Sequence, residues 1–322
     1  MSRIMPLFRL YALLMILLVA SGCEGNTASN MIPDSTKQTK ETAPPATTVA
    51  HAPLVFGIIY PTVNPTYEII TENLKTASVN HAVKLIVQAP DEANLEQQIR
   101  IMEMMIKQEV DGIAIDPVDS AALVDVIDKA VAKGIPVVCF ESDAPTSKRV
   151  AFIGADNYET GVTIGKSVSK LLDGKGMVIV ESGMPHMLGL SQRLDGLKQY
   201  LSSHTTIDIL EISNNDGTEE DATEQLERMI SAHPHFSALI NLDPVSSSSS
   251  ILVWKAKGLK QYNIALGLTP AVQESLVNGQ ITRIISQNEQ HWGESIMNTL
   301  LAITDGQKVP PFVNTGITEI GE

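Results

Sequence analysis

Beyond residue 53, short apolar runs recur at 54–60, 84–88, 112–116, 136–140, 150–154, 177–181, 207–212, 238–242, 264–268 and 281–287. Most are continuous rather than alternating, the pattern of parallel strands covered on both faces. Between them, apolar residues return at helical spacing: Leu95, Ile99, Met102 and Ile106; Leu190, Leu194, Leu197 and Leu201; Trp292, Ile296, Leu300 and Ile303. Asn64-Pro65, Asp116-Pro117 and Asp243-Pro244 each set a capping side chain before a proline, which predicts helix starts after three of the strands. Regular alternation of this kind predicts an α/β fold with doubly wound parallel sheets. Ten strands are many for one open sheet, so two sheets are expected. A short internal similarity points the same way: Ile113-Ala114-Ile115-Asp116-Pro117-Val118-Asp119-Ser120 resembles Leu239-Ile240-Asn241-Leu242-Asp243-Pro244-Val245-Ser246.

The first 53 residues follow a different pattern. Arg3 and Arg9 precede an apolar run over 10–20, too short for a comfortable membrane-spanning helix. The run ends in Ala20-Ser21-Gly22-Cys23, which looks like a bacterial lipobox, with Ala20 where Leu is common. The reading is a leader over 1–22 and a lipid on Cys23. Residues 23–53, rich in Thr, Ser, Asn, Pro and Ala, are expected to form a flexible tether, since they carry too little apolar surface to offset chain entropy. Cys139, inside an apolar run, is then a small core residue without a partner.

Composition narrows the function. The chain of 322 residues carries 23 Lys plus Arg against 37 Asp plus Glu, a formal charge of −14, which argues against binding a phosphate backbone. Two cysteines exclude a disulfide scaffold and a cysteine-rich zinc module. No Gly-x-Gly-x-x-Gly follows the first strand, and neither Gly-x-Ser-x-Gly nor His-Glu-x-x-His occurs. His233 and His235 flank Pro234 in what reads as a solvated turn rather than a metal pair, and no cofactor is expected. In open α/β sheets, ligands bind beyond the carboxyl ends of the strands. The polar residues there are Asn64 and Tyr67, Glu141, Ser142 and Asp143, Arg193 after the loop 182–188, Asp243, and Gln287. These groups suit hydroxyl-bearing ligands. Asn64 and Asp243 also have a plainer use as helix caps, and Gln287 as a hinge hydrogen-bonder.

With the lipobox, Asn64-Pro65-x-Tyr67, Glu141-Ser142-Asp143-Ala144-Pro145, Ile153-Gly154-Ala155-Asp156-Asn157, Gln192-Arg193-Leu194-Asp195-Gly196 and Asn314-Thr315-Gly316-Ile317-Thr318 in this order, the chain resembles periplasmic sugar-binding proteins of the ribose/galactose-binding, lactose-repressor-like group. No helix-turn-helix segment precedes Leu54, which sets the repressor branch aside. The resemblance implies two similar lobes joined by three crossings near Ala155-Asp156, Gln287-Asn288 and 313–315. The first lobe would comprise 54–155 plus 288–313, the second 156–287 plus 314–322. It implies ligand contacts from Asn64 and Tyr67, a strand-end acid at Glu141 where Asp is usual, a sugar-gripping Arg193, Asp243 where Asn is usual, and Gln287 at the hinge. The chain departs from the pattern at Thr66, where an aromatic often stacks on the sugar, at Ser142, where some members carry Arg, at Gly267-Leu268-Thr269, and at Glu289, where proline is usual.

The implied function is a monomeric, lipid-anchored extracytoplasmic protein, not an enzyme, that captures a small polyhydroxylated ligand and delivers it to an ABC permease. The alternative is a sugar-sensing co-receptor for a membrane histidine kinase or chemoreceptor; a secreted α/β enzyme is a distant third. Arg193 and Glu141 are expected to face each other across a wet cleft. Loss of Arg193 would then weaken binding and leave the ligand-free protein stable.

Overall fold

A computed structural model describes residues 52–90 and 92–321. The leader over 1–22, Cys23 and nearly all of the tether over 23–53 lie outside the described residues. No helix among the described residues is long and apolar enough to cross a membrane.

The chain builds two α/β lobes. In the first, β1 (Val55–Ile59), α1 (Pro65–His81), β2 (Lys84–Gln88), α2 (Leu95–Lys107), β3 (Gly112–Ile115), α3 (Val124–Ala132), β4 (Val137–Phe140) and β5 (Ala151–Gly154) follow in order. The second holds α4 (Asn157–Leu171), β6 (Lys175–Ser182), α5 (Leu188–His204), β7 (Thr206–Asn214), α6 (Glu219–Ala232), β8 (Ala238–Asn241), α7 (Pro244–Lys257), β9 (Tyr262–Leu266), α8 (Pro270–Val277) and β10 (Arg283–Ser286). The chain then returns to the first lobe as α9 (Trp292–Thr304) and β11 (Phe312–Asn314), and ends in the second as β12 (Thr318–Ile320).

The two six-stranded sheets run β11-β5-β4-β3-β1-β2 and β12-β10-β9-β8-β6-β7. Strand for strand the order is the same, so β3 and β8, which carry the internal similarity, hold equivalent places. All pairings are parallel except β10 with β12. The chain passes between the sheets around 155–156, 287–288 and 315–317. The strands β11 and β12 escape the periodicity because each has only three residues, bounded by Pro311, Gly316 and Gly321.

Each sheet is covered on both faces, which is why its strands read as unbroken apolar runs. On the first, α1 and α9 bring Ile70, Leu74, Trp292, Ile296 and Leu300 onto Phe56, Ile58 and Val138, and α2 and α3 bring Met102, Met105 and Ile127 onto Ile113 and Ile115. On the second, Ile164 and Val168 of α4 and Leu197 and Leu201 of α5 pack on Val178, Val180 and Ile240. Helices α4 and α5 touch through glycines. A Cβ on Gly161 would overlap the carbonyl of Arg193, and one on Gly196 would overlap that of Tyr158. Alanine at either position therefore has to push the helices apart and carry Arg193 with them.

The serine run of α7 has a packing role. Ser246, Ser247, Ser249 and Ser250 are fully buried. Ser247 Oγ donates to Leu266 O (2.9 Å), and Ser250 Oγ accepts from Asn263 Nδ2 (3.0 Å). Small hydroxyls let α7 lie close on a polar stretch of the sheet that larger apolar residues could not satisfy.

Candidate functional site

Between the carboxyl ends of the two sheets lies one connected, buried polar network. From the first lobe come Tyr67 in the first turn of α1, Asp116 after β3, and Glu141 and Ser142 after β4. From the second come Asn157 and Thr160 on α4, Arg193 on α5, and Gln287 after β10. The Tyr67 hydroxyl donates to Asp116 Oδ2 (2.7 Å) and contacts Glu141 Oε2 (3.2 Å). Glu141 Oε1 stands 3.6 Å from an Arg193 guanidinium nitrogen.

Arg193 is 0% exposed. Its guanidinium donates to Asn157 Oδ1 (2.8 Å), Leu242 O (3.0 Å) and Gln287 Oε1 (2.9 Å). Gln287 Nε2 in turn donates to Asn157 Oδ1 (2.8 Å) and Thr160 Oγ1 (3.0 Å), and Asn157 Nδ2 donates to Glu141 O (2.8 Å). Asn157 thus holds three of the sequence-proposed residues in register, although its own sequence signal is only that of a residue at the start of a helix.

Glu141 sits in a strained backbone conformation, with φ of +55° in the left-handed region where non-glycine residues are uncommon. Its backbone is pinned there by N–H donation to Ile153 O (3.1 Å) and by the Asn157 amide on its carbonyl. The strain turns the carboxylate inward to Tyr67 and Arg193. Asn288, at the second crossing, adopts the same conformation.

The structure departs from the sequence reading at Asp116 and at Arg193. Asp116 does not cap a helix, because its carboxylate is held by Tyr67 and by the Ser142 amide (3.3 Å). The next helix begins only at Val124, and Asp119 Oδ1 instead accepts from the amides of Ala121 and Ala122 in the intervening turn. Arg193 does not stand in a wet cleft; its three hydrogen bonds are made within the second lobe and enclose it completely. Burial, and next the neighbouring Glu141 carboxylate, push the Asp116 carboxyl well above its ordinary range, against the opposing pull of the Tyr67 hydroxyl and Arg193.

Asn64 and Asp243 lie apart from this network. Asn64 Oδ1 caps α1 through the Tyr67 amide (3.1 Å). Asp243 Oδ1 caps α7 through the amides of Val245 and Ser246 (2.9 Å each), and its other oxygen accepts from the Ser246 hydroxyl. Glu289 carries out part of the hinge work. Its buried carboxylate accepts from Ser286 Oγ (2.9 Å), the Gln287 amide (3.0 Å) and the Leu268 amide, tying the second crossing to the loop after β9. Trp292 packs in the first lobe and donates from Nε1 to Gln287 O (3.2 Å), so it also braces the hinge.

Residues 56–308 match the periplasmic binding protein domain. The chain belongs to that family. Among its relatives is a D-ribose/D-allose-binding protein of Pseudomonas aeruginosa, 26% identical over 237 residues, covering 71% of this chain and 74% of the relative. A ribose import binding protein of Bacillus subtilis is 21% identical over 256 residues, covering 78% and 81%. Among solved structures, an ABC transporter solute-binding protein from Burkholderia graminis in complex with D-arabinose superposes with a TM-score of 0.80 at 25% identity, covering 84% of this chain and 96% of that one. The relatives named here are sugar-binding proteins, and the Burkholderia graminis protein is an ABC transporter solute-binding protein.

Proposed function

We propose that the protein captures a small sugar between its lobes, outside the cytoplasm and tethered by a lipid on Cys23, and delivers it to an ABC permease. One observation carries the reading: hydroxyl-binding groups of both lobes converge at a single buried place. Tyr67, Asp116 and Glu141 supply acceptors and a phenol from one side; Arg193, Asn157 and Gln287 supply a guanidinium and two amides from the other. Such a set can grip vicinal hydroxyls as donors and acceptors at once. A ligand that touches both lobes favours the closed arrangement by the contacts it makes only there. The sugars named with its relatives, D-ribose, D-allose and D-arabinose, define the class to try first.

The test is thermal denaturation of the protein with each of these sugars and with D-galactose. A ligand at a hundred times its Kd stabilises the native state by about 2.7 kcal/mol, a shift of several degrees. No shift with any neutral monosaccharide would overturn the sugar reading. For the anchor, Cys23→Ser is expected to move the protein from the membrane fraction to the soluble one. Membrane retention with normal processing would overturn that part alone.

A further inference from the structure

Helix α5 lacks a cap of its own. Its N-cap residue, Met187, has no side chain able to accept from the first turn. The amides of Leu188 and Gly189 are two of the donors that every helix leaves free at its start. Here they donate across the lobe boundary: Leu188 N to Ser120 Oγ (3.1 Å) and Gly189 N to Ser142 Oγ (2.9 Å). The contact is reciprocal, because the Ser120 amide donates back to His186 O (3.3 Å). Both serines are buried, Ser142 completely. Gly189 is what allows the approach. A Cβ there would stand 2.9 Å from Asn157 Nδ2 and 3.0 Å from Glu141 O.

We infer that Ser120 and Ser142 of the first lobe cap α5 of the second and act as a latch that holds the lobes together without help from a ligand. When the lobes part, both amides and both hydroxyls return to water, so the bonds belong to the closed arrangement only. Their position at the helix start also couples the latch to Arg193, one turn further along the same helix. The inference rests on the reading that the lobes open and close around a ligand, but it concerns the ligand-free protein. Removing two neutral hydrogen bonds is expected to shift the closing equilibrium toward open by about 5- to 150-fold. Where a closed-competent fraction limits binding, the apparent Kd rises in proportion.

Hydrogen exchange of the ligand-free full chain tests this directly. In the wild type, the segment around Leu188 and Gly189 is expected to exchange slowly. In Ser120→Ala/Ser142→Ala it should exchange at least several-fold faster, while β1, β3 and β4 keep their protection. Small-angle scattering should show a larger radius of gyration for the same variant. Ser120→Thr, which keeps the hydroxyl, should behave as the wild type. Unchanged exchange in the double variant, or a wild-type segment already unprotected, would overturn the latch. Should the double variant not fold, Ser120→Ala alone is read by the same criterion. Because no ligand is added, these outcomes are independent of whether any sugar binds.

Discussion

Arg193→Ala is expected to abolish ligand binding and to destabilise the ligand-free protein by about 3–5 kcal/mol, the usual result of removing one partner of a buried charged pair. The reason lies in where the guanidinium bonds. Asn157, Leu242 and Gln287 all belong to the second lobe or its hinge edge, so these bonds persist when the lobes part. Truncation strands the Leu242 carbonyl and leaves Asn157 and Gln287 with fewer partners, in a place with no exposure to solvent. In the closed form it also leaves Glu141 without its cation. Against a total stability of about 5–15 kcal/mol, such a loss is large. Lysine should not restore function, because a single ammonium cannot reach three acceptors in the plane of a guanidinium fork. Urea denaturation of the ligand-free variants measures the cost. An Arg193→Ala protein with the wild-type midpoint would show that water replaces all three bonds and that Arg193 serves the ligand alone.

Arg193 also shows how far the sequence could be read. Most of the ten strands are legible because they are buried on both faces, the edge strands β2 and β7 being only partly buried, and the helices because their stripes repeat at helical spacing. The strand ends then identify Tyr67, Glu141, Arg193 and Gln287, which the fold joins in one network. What escapes is contact between segments far apart in the chain. Asn157 looks like any residue after an N-cap until α4 is laid against α5 through Gly161 and Gly196. Asp116 reads as a cap because Asp-Pro usually is one, and Asp243-Pro244 does behave so. The difference is Tyr67, whose hydroxyl reaches Asp116 from 49 positions away. The strain at Glu141 has no signature at all, since glutamate is not a residue that advertises a left-handed backbone. The serine run is similarly mute until Asn263 and the end of β9 are placed beneath it.

Those serines cover a second buried acid, and it carries the other large effect. Glu181, on β6, is fully buried beneath the start of α7. One of its oxygens accepts from Asn215 Nδ2 (3.3 Å); the other, Oε2, has no partner, and neither has Oδ1 of Asn241, the residue beside it in register on β8. Two orphaned acceptors side by side are satisfied together if Glu181 carries a proton and donates it to Asn241. Burial, and next the Asp243 carboxylate, push the Glu181 carboxyl up to about 9 from an ordinary value of 4.5, with Asp221 adding to the rise and Asn215 opposing it. Between those two values the native state holds a proton that the unfolded chain has released. Stability is then greatest below the unfolded value and falls as pH rises, by up to about 1.4 kcal/mol per pH unit from this one group, levelling off above the folded value. Glu181→Gln removes the titration and supplies an N–H donor in place of the proton. The buried carboxyls of Asp116 and Asp243 are also raised and add slopes of the same sign, so the difference between wild type and variant isolates Glu181. Urea midpoints of the two proteins measured from pH 5 to pH 9 are expected to diverge steadily, with Glu181→Gln the more stable at the alkaline end. Parallel curves would mean that Glu181 is already ionised at neutral pH and that another donor satisfies Asn241.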